Sequence, residues 1–385
     1  MITYDEKVAL CALNRIFGYH PHLARELMET CGSAPAVFSA GEVDVPGHPE
    51  LAEQVGPGAL DWAEKELAQV EAGGFRFIGM EDDDYPAPLM EIPDPPLGIY
   101  LNGSSAPAEI FGLRPMVGFV GTRDLSPYGR TWCRKLVEGL AQAPVQPCIV
   151  SGLALGADGI AHQSALDCGL TTIGIMATGI ESIYPWQHQT MAARMVGTPG
   201  CGLVTDYPLG TSPVALNFLR RNRIIAGLVH AVVVVESKTK GGSLMTARYA
   251  SEYGRDVYAV PGRLDDVRSA GCNSLIRTNM AEIVTTPEDL AARLGLGTPV
   301  RAAGGSWAAV GNALERELRQ KFGADSLPLS VGVAVREHRG ATVEELSALL
   351  RHPFAEVLSA VSLLEAAGFL TTDLLRRCSL RAPWD

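Results

Sequence analysis

The sequence predicts an α/β protein built on a doubly wound, mostly parallel sheet, with an all-helical segment before it and a winged-helix segment behind it. Three observations carry this. Between Met116 and Val260 short apolar runs alternate with stretches of helical spacing, the pattern of repeated strand and helix units. The run Ala231 to Val235 is unbroken Val and Ala ending at Glu236, as in a central parallel strand buried on both faces. The places where strand must pass to helix are rich in Gly, Ser and Thr.

A chain of 385 residues has room for two or three domains. With 47% hydrophobic and 19% charged residues it is globular rather than disordered. A net charge of −11 excludes indiscriminate coating of nucleic acid by a basic surface, so any such binding must be local. The eight cysteines (Cys11, Cys31, Cys133, Cys148, Cys168, Cys201, Cys272 and Cys378) form no CxxC pair and fit small buried residues of a reducing compartment. Asp5 and Glu6 stand where a leader would be basic, and no apolar run approaches the ~20 residues of a membrane span. A cytoplasmic protein without membrane association is expected.

In chain order, Glu6 to Phe17, Pro21 to Glu29, a turn near Ala36, and Asp61 to Ala72 read as helices of a first domain, 1–74, whose simplest role is to pack on its neighbour. The second domain, 75–294, opens with a strand at Phe75 to Met80, an acidic run and a proline-rich connector from Pro86 to Pro96. Strands follow at Met116 to Val120, Cys148 to Val150, Thr171 to Ala177, Gly202 to Thr205, Ala231 to Val235 and Val257 to Val260, with an edge strand at Ile283 and Val284. The helices between them are Pro127 to Ala141, Asp158 to Cys168, Leu219 to Leu228 and Ser243 to Tyr253, and Pro287 to Leu294 closes the domain. Residues 295–311 read as a Gly, Ala and Ser linker. In the last domain, 312–385, Thr342 to Leu350, Pro353 to Ala367 and Phe369 to Leu380 give helix, turn, helix and a strand pair. Its second helix carries Glu356 and Glu365 and no Lys or Arg, so it is expected to meet protein rather than read DNA.

In open parallel sheets ligands sit beyond the carboxyl ends of strands, where helix N-termini present free N–H groups. Four turns here suit that role. The first holds Gly121, Thr122 and Arg123, with Ser126 as N-cap and Pro127 opening the helix. The second holds Ser151, Gly152, Gly156 and the expected cap Asp158; the third holds Lys238, Lys240, Gly241, Gly242, Ser243 and, one turn on, Thr246. The fourth is Phe218, Arg220, Arg221, Asn222 and Arg223, expected to open a helix in a stretch without an acidic residue between Asp206 and Glu236. Guanidinium forks suit phosphate oxygens and an aromatic beside them suits an unstacked base, so together these turns read as a track for a strand of nucleic acid.

Enzyme chemistry finds less. No GK[ST] follows a glycine loop, so the phosphate lysine and magnesium hydroxyl of an NTPase are absent, and GTRDLSPYG departs from a dinucleotide fingerprint. Ser151, Asp158 and His162 suggest a triad, but Asp158 and His162 lie one turn apart on a helix, where a cap and a packed histidine account for both. The eight histidines form no HExxH or ligand cluster, so neither metal nor cofactor is expected.

The motifs VGFVGTRDLSPYG, SGLALGADGIAHQSAL, ATGIESIYP, LVTDYPLG, FLRRNRIIAGL, VVVVES, GGSLMTA, GRDVYAVPG and GCNSLI, in this order, closely resemble the DNA-processing protein DprA (Smf) family over roughly Phe75 to Ile283. The resemblance implies a Rossmann-like core behind a SAM-like helical domain and ahead of a winged helix. It further implies a non-enzymatic, dimeric protein that binds single-stranded DNA and loads RecA onto incoming strands protected by SSB during natural transformation. Carried over by residue, Arg123 would clamp a phosphate, and Ser151 and Gly152 would supply donors. Phe218 would meet a base between Arg220, Arg221, Asn222 and Arg223, and Lys240, Gly242, Ser243 and Thr246 would line the far end, with Arg223 the member most suited to a structural role. The chain departs from the family at Ala215, where a lysine is common, at Leu219, where proline is common, and at Ala157, where isoleucine is usual. Arg220 is expected to replace the missing lysine contact. The main alternative is a Rossmann-like hydrolase of nucleoside monophosphates, yet GGSLMTA lacks the spacing of such enzymes and Glu252 lies two turns further along. A scaffold working through its winged helix is a third reading.

Overall fold

The structure is a computed structural model and describes residues 2–380 apart from 42, 113, 297–306, 325, 339–340 and 373–376. It divides into two compact units, Met1–Ala141 with Pro147–Thr285, and Gln142–Gln146 with Thr286–Asp385.

The first unit opens with helices α1 (Tyr4–Phe17), α2 (Pro21–Cys31), α3 (Ala34–Ser39), α4 (Pro49–Ala52) and α5 (Pro57–Ala72). A capping box starts α1: Glu6 N–H donates to Thr3 Oγ1 at 3.2 Å while Thr3 N–H donates to Glu6 Oε2 at 2.7 Å. Proline in the first turn helps to start each of the other four. Buried residues of α1, among them Leu10, Leu13 and Phe17, share one core with Phe77, Ile99 and Tyr100 of the sheet. The helices therefore cover a sheet face.

The sheet contains β1 (Arg76–Gly79), β2 (Gly98–Asn102), β3 (Met116–Val120), β4 (Cys148–Gly152), β5 (Thr172–Ile175), β6 (Gly202–Thr205), β7 (Ala231–Val234), β8 (Asp256–Ala259) and β9 (Glu282–Ile283). Between them lie α6 (Ala87–Met90), α7 (Pro107–Phe111), α8 (Pro127–Ala141), α9 (Ala157–Asp167), a 3₁₀ turn at Trp186–His188, α10 (Gln189–Gly197), α11 (Ala215–Leu228), α12 (Ser243–Glu252) and α13 (Ala270–Arg277). Strand order is β1-β2-β6-β5-β4-β3-β7-β8-β9; β3 to β9 run parallel, while β2 is antiparallel to both neighbours. The doubly wound, mostly parallel sheet is thus present, with β7 inside it and fully buried. Strand β2, absent from the sequence reading, follows the proline-rich connector directly, and α10 and α13 are further additions. Helix α11 starts four residues before the expected Leu219, after Val214, whose side chain makes no cap. Six cysteines are buried and all eight are free thiols.

The second unit holds α14 (Pro287–Arg293), α15 (Trp307–Phe322), α16 (Leu327–Glu337), α17 (Val343–Leu350), α18 (Phe354–Ala366), β10 (Leu370–Thr372) and its antiparallel partner β11 (Cys378–Leu380). Leu314, Leu318, Val335, Leu346, Val357 and Leu364 belong to its own core. The expected helix, turn, helix and strand pair are α17, α18, β10 and β11. Helix α15 begins inside the stretch read as linker, whose residues 297–306 lie outside the described residues.

Candidate nucleic-acid interface

From β3 the chain runs outward through β4, β5 and β6, then returns with β7, β8 and β9 on the other side. The carboxyl ends of β3 and β7 therefore frame the crevice at which such sheets bind ligands. Here the chain fills that crevice itself. Glu236, 1% exposed, accepts hydrogen bonds from Ser126 N–H at 2.9 Å and Ser126 Oγ–H at 2.5 Å, and its carbonyl accepts from Thr122 N–H at 2.8 Å. Ser126 is the expected N-cap, since Gly129 N–H donates to its Oγ at 3.1 Å. A helix N-terminus favours an anion, and a carboxylate of the same chain already sits at that of α8. The first turn is therefore not an open phosphate cradle, and of its expected contact residues Arg123 is the exposed one.

At the end of β4, Ser151 is fully buried and its hydroxyl donates to Phe119 O at 2.5 Å. This corrects its expected part as a free hydroxyl donor. Helix α9 is capped by Gly156, with φ +81°, where a Cβ would lie 2.4 Å from Thr122 O, so glycine is required there. Asp158 is accordingly the second residue of the helix rather than its cap, and it accepts from Ala154 N–H at 3.3 Å. Nor is there a triad: His162 is fully buried, with Nε2 donating to Gly152 O at 2.5 Å and Nδ1 2.7 Å from Thr172 Oγ1.

Burial lowers the His162 pKa from 6.5 to about 4, so the ring is neutral in the fold. The unfolded chain takes up this proton first as pH falls, so stability is intact above pH 6.5 and is lost as pH falls from there towards about 4. The slope reaches up to about 1.4 kcal/mol per pH unit. Asp158 acts in the opposite sense, because burial raises its pKa against the pull of Arg221. Urea titrations of wild type and His162→Asn across this range, compared pairwise to cancel that background, should show a flatter acid limb in the variant.

Because α11 begins at Ala215, the arginines lie in its second turn and beyond, not at its N-terminus, and successive side chains point about 100° apart. Arg220 turns to the helical layer: Nη2 donates to Gly18 O at 2.8 Å and the guanidinium lies 4.3 Å from the Tyr19 ring centroid. It is therefore not placed to replace a lysine at 215. Arg223, three residues on, pairs with Asp206 at 2.6 Å and reaches Asp94, at 2% exposure. Its structural role is plain. Burial alone would lower its pKa, but Asp206 and Asp94 together raise it.

Arg221 points the other way and is 3% exposed, its Nη1 lying 1.8 Å from where a Cβ on Gly152 would be. Among the described residues its Nε and Nη1 have no hydrogen-bond partner. Burial lowers its pKa and Asp158 counters that shift. Phe218 is half-buried; Arg123 lies 5.0 Å over its ring and Tyr184 stands 5.7 Å away at 58°. Asn222 reaches the third turn, donating to Gly242 O at 3.4 Å. In that turn Lys240 and Gly242 are exposed, whereas Ser243, bonded to Ser237 Oγ at 2.8 Å, and Thr246 are buried.

The residues singled out thus divide in three. Thr122, Arg123, Phe218, Asn222, Lys240 and Gly242 face outward; Gly121, Ser151, Gly152, Gly156, Arg221, Arg223, Ser243 and Thr246 belong to the frame beneath them; Arg220 is drawn off to Gly18 and Tyr19 of the helical layer. Missing from the sequence reading were Glu236 as the carboxylate at α8 and the exposed Tyr184. Only the aromatic pair flanking Pro185 signalled the latter. Among the described residues no cluster of His, Cys, Asp and Glu is placed to hold a metal, and no helix is long and apolar enough to cross a membrane.

The sequence model of the family described as DNA recombination-mediator protein A matches residues 76–295. Protein Smf of Synechocystis is 38% identical over 298 residues, which are 76% of this chain and 73% of that one. The X-ray structure of DNA processing protein A from Streptococcus pneumoniae aligns with a TM-score of 0.58 at 32% identity, over 76% of this chain and 98% of that one. DNA processing protein A from Helicobacter pylori, whose structure is described for its unique single-stranded DNA binding mode, aligns with a TM-score of 0.50 at 27% identity, over 57% and 96%.

Proposed function

The chain belongs to the DprA/Smf family of DNA recombination mediators, and from that premise we propose that it binds single-stranded DNA along the carboxyl edge of its sheet without acting as an enzyme. The observation that carries this is the Arg123 guanidinium held 5.0 Å over Phe218, a cation and a π-face presented together at the surface. Lys240 continues the positive side. The hydrolase alternative, placed at the Gly241 turn, finds little to work with there, because the Ser243 hydroxyl is spent on Ser237 Oγ at 2.8 Å and Thr246 is buried. We further infer, from family membership, a cytoplasmic homodimer that takes SSB-coated strands and loads RecA onto them in natural transformation. In the second unit α17, α18, β10 and β11 read as a winged helix, and α18, with Glu356 and Glu365 and no Lys or Arg, as a surface for protein.

A short labelled single strand, its matching duplex and a mononucleotide should be titrated at two salt concentrations. The single strand should bind tightest, with a log-log salt slope of about −0.7 per phosphate neutralised. Equal affinity for the duplex, or release of base from a monophosphate, would overturn the reading. Ala215, exposed and first in α11, stands one turn before Phe218 on the same face. Because Arg220 is held at Gly18, Ala215→Lys should tighten single-strand binding several-fold and steepen the salt slope by about 0.7, measured in the same titration.

A further inference from the structure

The loop that joins β5 to α10 carries two aromatic rings into solvent, Tyr184 at 45% and Trp186 at 75% exposure. Large aromatics are mostly buried in folded proteins, and isolated exposed ones need no explanation, but these two are neither isolated nor on loose chain. Tyr184 stands 5.7 Å from Phe218, whose ring lies under Arg123. The loop is fixed at both ends. Thr178 Oγ–H donates to Ser182 O at 2.6 Å, and His188 Nδ1–H donates to Leu153 O at 2.9 Å in the β4 turn. His188 also packs on α9 so closely that a Cβ on Gly159 would come within 2.6 Å of its ring. Between these anchors, Trp186 opens a 3₁₀ turn behind Pro185. The nearest carboxylate in the loop, Glu181, is turned away to accept from Gly210 N–H at 2.7 Å. Because these bonds already hold the loop backbone, stacking on its rings would order little further chain.

We propose that Tyr184 and Trp186 form a second stacking station for unpaired bases, which extends the track from Phe218 past the end of β5, on the side away from Lys240. The inference rests on the single-strand reading given above. It deepens that reading by making the strand cross the sheet edge from the β5 loop to the β7 turn, with bases on aromatic rings at one end and phosphates on Arg123 and Lys240 at the other. Stacking on a side chain accepts any base, so the station fits a strand of arbitrary sequence.

The test uses the full chain, labelled oligothymidylates of increasing length, and the variants Trp186→Ala, Tyr184→Ala, Trp186→Phe and Arg123→Ala. One base stacked on an aromatic is worth about 1–3 kcal/mol, so each alanine variant should lose about 5- to 100-fold in affinity for the longer strands and less for the shortest. The salt slope should stay at the wild-type value, since no phosphate contact is removed, and Trp186→Phe should keep most of the affinity. Addition of a strand should quench tryptophan fluorescence in wild type more than in Trp186→Phe. If both alanine variants bind as wild type while Arg123→Ala loses binding, the station is wrong and the single-strand reading stands. If Arg123→Ala also binds as wild type, that reading falls and the station with it. Thermal unfolding of Trp186→Ala should match wild type, because the removed ring is mostly in water.

Discussion

Arg223→Ala should lower the free energy of unfolding by about 3–5 kcal/mol, the usual cost of removing one partner from a buried ion pair. Asp206, 7% exposed, would be left buried with no guanidinium beside it. Asp94, which also accepts from Tyr253 Oη–H at 2.8 Å, would lose its second anchor, and with it the proline-rich connector would be less firmly held against α11. A urea titration reads the effect as a lower midpoint with an unchanged slope. The double variant Arg223→Met with Asp206→Leu should recover much of the loss, since the penalty comes from an uncompensated charge rather than from a missing attraction. An Arg223→Ala protein as stable as wild type would mean that the pair contributes nothing. Single-strand binding by the folded fraction should be retained, since Arg223 is committed to Asp206 and Asp94 beneath the surface.

Arg123→Ala should weaken single-strand binding by roughly 10- to 100-fold, as expected for a charge-assisted hydrogen bond of about 1.5–3 kcal/mol. The guanidinium is exposed and lies over Phe218, so on the proposed function its removal takes away a phosphate contact and loosens the ring that would meet a base. The salt slope should flatten by about 0.7, and Arg123→Lys should restore the slope but only part of the affinity, because an ammonium lacks the planar fork. Affinity and slope both unchanged would place the strand elsewhere on the molecule.

The parts of the fold that sequence made legible are those with a local cause. Ala231 to Val235 is apolar on both faces and became β7; Ser126 and Pro127 are a cap and a first-turn proline and start α8 as expected. Strand β2 was hidden because it follows a proline-rich connector and pairs antiparallel with β1 and β6, outside the repeating units. The start of α11 carries no side-chain cap to announce it. In the site, composition marked the arginines but not their directions. Three neighbours on one helix point to three surroundings, namely Gly18 for Arg220, Gly152 for Arg221 and Asp206 for Arg223, and only the long-range packing decides which. Glu236 was legible as the end of a strand, whereas its place at the N-terminus of α8 depends on a contact 110 positions back in the chain.

That carboxylate bears on how long a guest remains. A pocket whose amides wait for an incoming anion leaves them bare when the anion departs, and the resulting desolvated donors hold the guest back. With Ser126 N–H and Oγ–H already committed to Glu236, departure of a strand uncovers no such debt at the switch point. On the proposed function, residence time would then be set by contacts on the outer surface, which water can replace one at a time, so a strand could be peeled off from either end by a competitor. If the chain passes its strand to a recombinase, as proposed above, a crevice sealed by its own side chain is an advantage.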